Sequence, residues 1–153
     1  MPDQVTRSLI VKGSPQELYD LWSDYERHPE FSESLKSVTK IDEKFTQWVM
    51  KGPLGKELSW TTETTRDDSH RRIAWKTTEG DIKTSGQVTF TPLDQGETQV
   101  TLVVQYVPPA GKIGEAAAQI LDDPEERVEK DLYRFKEYVE SRTARYSANK
   151  DLP

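Results

Sequence analysis

The spacing of hydrophobic residues changes twice along the chain, which divides it into a short helical start, a β-rich centre and a helical end. The segment 4–11 is rich in β-formers and predicts an opening strand. After it, apolar residues recur at the spacing of one helix face: Leu18, Leu21, Trp22 and Tyr25. The first region is therefore predicted to be a strand followed by an amphipathic helix.

The first helix has clear start and stop signals. Ser14 and Glu17 form a capping box around Pro15, which occupies the first helical position. His28-Pro29 is expected to end the helix, because proline disfavours the α conformation in the residue before it. We expect a second short helix or a turn over 30–35.

The centre consists of short β-like runs separated by turn residues. The predicted strands are Ser37–Ile41, Phe45–Lys51, Lys56–Arg66, Arg72–Thr78, Lys83–Thr91 and Gln99–Val107. The connections have hairpin length and carry Gly, Pro or Asp where turns need them. Consecutive hairpins predict an antiparallel meander rather than a parallel nucleotide-binding sheet.

Alternation within the strands predicts which side chains face inward. The inward set comprises Leu58, Trp60, Thr62, Thr64, Ile73, Trp75, Thr77, Ile82, Thr84, Gly86, Val88 and Phe90. Its threonines admit two interpretations: β-propensity on a partly wet face, or hydroxyl groups that line a pocket.

The helical period returns after 108–111. A short helix over Ile113–Leu121 is predicted, followed by a long one that begins at Pro124 and ends at about Arg142. The long helix has one apolar face: Val128, Leu132, Phe135 and Val139. The prediction is an α+β fold in which a curved antiparallel sheet of about seven strands surrounds this helix.

Length and composition limit the classes of protein that the chain can represent. At 153 residues it fits one domain, expected over 1–146 with a flexible tail over 147–153. The absence of cysteine excludes disulfides and thiolate chemistry, and a net charge of −6 argues against nucleic-acid binding. Without a signal sequence or an apolar transmembrane segment, we expect a cytoplasmic protein.

Catalytic motifs are not apparent in the sequence. His28 and His70 lie in predicted turns and belong to no metal-ligand spacing. Neither a GxSxG elbow nor a glycine-rich phosphate loop is present, and the acidic residues of the last helix alternate with Lys and Arg as on a solvated face. We therefore assign no catalytic residue, no metal and no cofactor.

The aromatic residues say more about a possible site than the histidines and acidic residues do. Trp22, Trp48, Trp60 and Trp75 come from one predicted helix and three predicted strands. Core packing explains any one of them, but a bent sheet facing one helix leaves space at its mouth. We predict an apolar pocket of roughly 300–1,000 Å³ near the 108–111 loop. Its predicted ligand-binding residues are Leu58, Trp60, Thr62, Thr64, Ile73, Trp75, Val88, Phe90 and Tyr106.

A set of short motifs, spread from about Val5 to Val139, resembles one protein family. They are Leu21–Tyr25 with Pro29 and Phe31, Trp48–Gly55, Ile73–Trp75 with Glu79-Gly80, Gly86 with Val88 and Phe90, Tyr106–Gly111, and Asp123-Pro124 with Asp131–Lys136. Together they resemble the bacterial polyketide cyclase/dehydrase-type branch of the SRPBCC superfamily, the START-like, Bet v 1-like helix-grip proteins. The resemblance implies the order β-α-α-β6-α and an apolar cavity under the long helix.

Three functions remain open at this point. The first is a carrier or sensor that binds a lipid, a quinone or a polyketide-like molecule. The second is a cyclase or dehydratase that folds a reactive chain. The third is a protein-interaction module without a ligand. A buried ionisable residue with a displaced pKa in the pocket would favour the enzyme. A homodimer is compatible with the sequence, because such interfaces are common.

Overall fold

A computed structural model describes residues 4–52, 55–107 and 124–150. In chain order the elements are β1 (Gln4–Lys12), α1 (Pro15–Ser23), a 3₁₀ helix (Tyr25–Glu30), β2 (Leu35–Lys40), β3 (Phe45–Lys51), β4 (Glu57–Asp68), β5 (Arg72–Gly80), β6 (Lys83–Pro92), a 3₁₀ turn (Asp94–Gly96), β7 (Glu97–Val107) and α2 (Pro124–Lys150).

The strands form one seven-stranded antiparallel sheet in the order β1-β7-β6-β5-β4-β3-β2. The predicted meander is therefore correct, and β1 adds an edge strand to it by pairing with β7. The β4–β5 pairing shifts register between Thr61 and Thr62 and again between Thr64 and Arg66. Bulges of this kind bend and twist a strand, so the sheet curls around its inward face. The architecture is the expected α+β helix-grip fold.

Element boundaries agree with the sequence where local signals set them. The Ser14 hydroxyl accepts a hydrogen bond from the Glu17 amide at 3.1 Å, as the capping box predicts. The predicted end of the first helix at His28-Pro29 is wrong: α1 ends at Ser23, and a separate 3₁₀ helix over Tyr25–Glu30 includes Pro29, whose fixed φ suits such a turn. Turns follow over 31–34, within the helix or turn predicted over 30–35. Helix α2 runs to Lys150, past the predicted end at about Arg142.

Helix α2 packs over the sheet and is tied to its edge. Leu132, Phe135 and Val139 are buried within the main core. Arg7 of β1 bonds to Glu129 at 2.6 Å, and the Lys136 ammonium donates to the Ile10 carbonyl at 2.7 Å. The open edge of β1 is thereby covered, which also hides its free backbone groups from other chains.

The apolar interior is divided into two clusters. The main cluster joins α1, α2, the 3₁₀ helix and strands β1, β5, β6 and β7. The smaller one consists of Met50, Leu58, Trp60 and Ile82, with Leu35 and Trp48 packed against it. The helices cover the first cluster more fully than the second, and the space between the two is the candidate site.

Candidate functional site

A cavity of about 220 Å³ lies between the concave face of the sheet, the 3₁₀ helix and α2. Both core clusters contribute to its wall. The cavity is therefore the part of the interior that side chains do not fill. The lining residues are Trp22, Tyr25, His28, Phe31, Ser32, Ser34, Leu35, Trp48, Met50, Trp60, Thr62, Thr64, Trp75, Ile82, Thr84, Leu102, Val104, Arg127, Val128 and Asp131. The volume is below the predicted range but large enough for a small molecule.

Two indoles stack on each other in the wall. Trp48 and Trp60 are register partners on β3 and β4, and their rings are parallel to within 9° with centroids 6.3 Å apart. The Trp48 indole N–H donates to the Thr62 hydroxyl at 2.9 Å. Because that bond fixes the orientation of the Trp48 ring, this part of the wall is ordered before any ligand binds.

The position of a third indole, that of Trp75, depends on a glycine of the neighbouring strand. Trp75 and Gly86 are register partners on β5 and β6. A Cβ added to Gly86 would approach the Trp75 ring to 2.8 Å and the Val103 carbonyl oxygen to 2.3 Å. Only glycine therefore lets the Trp75 ring lie across β6 and reach the cavity.

His28 is buried in the aromatic side of the wall. Its ring lies 4.9–5.5 Å, centroid to centroid, from the rings of Trp22, Tyr25, Phe31 and Trp48. Burial lowers the pKa of His28 to about 4, so the ring is neutral at physiological pH. Nε2 lies 2.7 Å from the Trp22 carbonyl oxygen, which can only accept, so Nε2 carries the proton and Nδ1 is the acceptor.

The acidic and basic side chains of the wall lie at one edge, where α2 faces the segment after the 3₁₀ helix. Asp131 accepts a hydrogen bond from the Ser32 hydroxyl at 3.4 Å. Burial raises the pKa of the Asp131 carboxyl, although Arg127 and Ser32 act in the opposite direction. The Arg127 guanidinium lies 4.0 Å from the Met50 sulfur and so reaches from α2 towards β3.

The cavity can bury an apolar molecule, and it also offers side chains that can exchange protons. The aromatic side can bury a hydrophobic ring system, and the polar edge can exchange hydrogen bonds with one polar group. His28 can accept a proton through Nδ1, and Asp131 can accept a hydrogen bond or, when protonated, donate one. Within the described ranges no group of three or more His, Cys, Asp or Glu side chains could hold a metal ion.

Comparison with known proteins identifies the family. The family model for polyketide cyclase/dehydrase and lipid transport proteins matches residues 11–132. The chain belongs to this family. As a member it shares the helix-grip fold with the START-like proteins, as its motifs suggested.

Three relatives of this family member illustrate the range of the similarity. An uncharacterized 17.2 kDa protein of Streptomyces lincolnensis, from the melC2-rnhH intergenic region, is 27% identical over 139 residues, which are 91% of each chain. The Zhui aromatase/cyclase from Streptomyces sp. R1128 superposes with a TM-score of 0.72 at 19% identity, over 92% of this chain and 94% of that one. A START superfamily protein from Mycobacterium smegmatis gives 0.67 at 17%, over 89% and 98%.

Four predicted site residues line the cavity, and four do not. Trp60, Thr62, Thr64 and Trp75 are in the wall. Leu58 lies in the smaller cluster, while Ile73, Val88 and Phe90 lie in the main core. The alternation assigned their face correctly, but α1 covers that part of it: the Tyr19 ring meets Phe90 edge-on at 6.2 Å. The side chain of Tyr106, the 108–111 loop and the helix predicted over 113–121 lie outside the described residues.

The sequence analysis missed the site residues on the helical side. His28 was assigned to a turn, and Asp131 and Arg127 were treated as part of a solvated helix face. One signal was available for Asp131: it precedes Leu132 on α2 and lies four positions before Phe135, so it borders the apolar stripe. No comparable signal marked His28, because its burial depends on Trp48 from a distant strand.

Proposed function

We propose that this protein binds an apolar small molecule in the cavity and acts as a carrier or sensor. The observation that carries the proposal is the wall itself: aromatic and aliphatic side chains make up most of it, a few hydroxyl groups interrupt it, and Asp131 and Arg127 lie together at one edge. A pocket with a mostly apolar lining and a few placed polar groups is typical of small-molecule sites. Membership of a family described by cyclisation, dehydration and lipid transport is consistent with it.

A second candidate is a cyclase or dehydratase, and one observation favours it. His28 and Asp131 line the same cavity, and burial shifts the pKa of each in the direction that makes the uncharged form easier to populate. A neutral base and a carboxyl group that protonates more readily are the pair that proton transfer at a carbonyl compound requires. The superposition on the Zhui aromatase/cyclase concerns the fold alone.

The test is native mass spectrometry of protein purified gently from its own host, compared with two tryptophan variants. Val104 lines the cavity, so Val104→Trp fills it; Val103, the next residue on β7, faces the opposite side of the sheet. We expect a co-purifying small molecule in the original protein and in Val103→Trp, and its loss in Val104→Trp. Retention in all three, with both variants folded, would place the molecule elsewhere and contradict the proposal.

A further inference from the structure

We propose that the bound molecule is a one- or two-ring aromatic compound with a hydroxyl group, and that this hydroxyl donates a hydrogen bond to Asp131. The inference deepens the proposed function and rests on it. It follows from three features of the cavity: its volume, the aromatic side chains of its wall, and the charge of its polar edge.

Volume sets the size of the molecule. A cavity of about 150 Å³ lined by aliphatic and aromatic side chains holds one benzene. The cavity of about 220 Å³ therefore has room for roughly one further fused ring. A multi-ring polyketide or a long acyl chain would extend beyond the space that the described side chains enclose.

The wall favours an aromatic and rigid molecule. Trp48 and Trp60 stack on each other in it, and the Thr62 hydroxyl holds the Trp48 indole in that orientation. Rings pack on such faces by offset stacking or edge-on contacts, which add to the burial of apolar area. A flexible chain would lose rotamer freedom on binding without gaining those contacts.

The polar edge favours a neutral donor. An ionised Asp131 is an acceptor, and Ser32 supplies it with one donor from the protein side. A ligand hydroxyl would add a second, charge-assisted hydrogen bond, with the Arg127 side chain beside it at the same edge. A ligand carboxylate would instead bring a second negative charge beside Asp131, and the Arg127 cation at this edge already acts on the Asp131 carboxyl, since it lowers the pKa of that group.

The experiment compares four probes by isothermal titration calorimetry at neutral pH: 2-naphthol, naphthalene, 2-naphthoate and decanoate. For the unaltered protein we expect 2-naphthol to bind about tenfold more tightly than each of the other three. In Asp131→Asn the preference for 2-naphthol over 2-naphthoate should disappear, because the charge that separates them is gone. Naphthalene should bind this variant as before, which a general loss of structure would not allow.

Glu129→Gln is the matched control, since Glu129 lies on the same helix but is exposed and paired with Arg7. This variant should keep the tenfold preference. The inference is overturned if 2-naphthoate or decanoate binds most tightly, or if Asp131→Asn keeps the preference for 2-naphthol. Binding of decanoate alone would overturn the inference and leave the proposed function standing. Binding of none of the four probes would overturn both.

Discussion

At the scale of single residues, the cavity depends on side chains that hold one another in place. Trp48 is the clearest case, because its ring contacts Tyr25, His28 and Trp60 while its N–H is bonded to Thr62. Thr62 thus orients Trp48, and a direct polar contact of its hydroxyl with a ligand stays a prediction.

Thr62→Val tests this role, because valine keeps the shape of threonine and removes the acceptor. The Trp48 N–H would lose its partner, so we expect the free energy of unfolding to fall by about 1 kcal/mol, measured by urea denaturation. Thr39→Val, at an exposed position of β2, should change it by less than about 0.5 kcal/mol. Equal effects of the two substitutions would mean that the Trp48–Thr62 bond does not stabilise the fold.

His28 makes a prediction about pH. Its pKa is about 4 in the folded protein, against an ordinary value of 6.5. Below pH 6.5 the unfolded chain therefore takes up a proton that the folded chain does not, so stability is lost as the pH falls from about 6.5 towards 4. The complete loss from this group is on the order of 3 kcal/mol.

Asp131 acts in the opposite direction, because its raised pKa gives stability that is present at low pH and lost as the pH rises through the folded value. His28→Gln separates the two groups, since glutamine can still donate to the Trp22 carbonyl but does not titrate. We expect urea denaturation between pH 7.5 and 4.5 to give a flatter pH dependence for this variant. Parallel curves for the two proteins would show that His28 does not carry the effect.

At the scale of elements, the sequence predicted what local periodicity and capping determine. The bounds of β3 match the prediction, and the other central strands differ from it by one or two residues at an end. The prediction fails where elements that are distant in sequence pack against each other. Alternation fixes the face of a strand but not which part of that face α1 and α2 cover, so Ile73, Val88 and Phe90 were assigned to the cavity wall and lie in the core.

Helix α2 gives the element-scale prediction. Phe135 is completely buried, and its ring lies 5.1 Å from that of Trp22 and 5.3 Å from that of Phe31. We expect Phe135→Ala to lower the free energy of unfolding by about 3–5 kcal/mol. Tyr133→Ala, an exposed position on the same helix, should have an effect below about 0.5 kcal/mol. A small effect at Phe135 would mean that α2 contributes little to the core.

At the scale of the whole molecule, a curved sheet and one long helix enclose more space than their side chains fill. The main core closes one part of the interior, the smaller cluster closes another, and the cavity remains between them. Among the described helices, none is long and apolar enough to cross a membrane. The fold is shared with START-like proteins, whereas the aromatic wall and the Asp131 edge are the features from which a function has to be argued.

All four tryptophans of the chain line the cavity, so their indole N–H resonances report directly on its occupancy. The decisive measurement is a two-dimensional ¹H–¹⁵N NMR titration with 2-naphthol and, in a second sample, with decanoate. If the cavity binds an apolar small molecule, the four indole signals will shift together and saturably with at least one probe. The backbone amides of the exposed Ile41 and Leu93 will not move. Indole signals that stay in place with both probes, or shifts confined to exposed residues, would contradict the assignment of this cavity as the binding site.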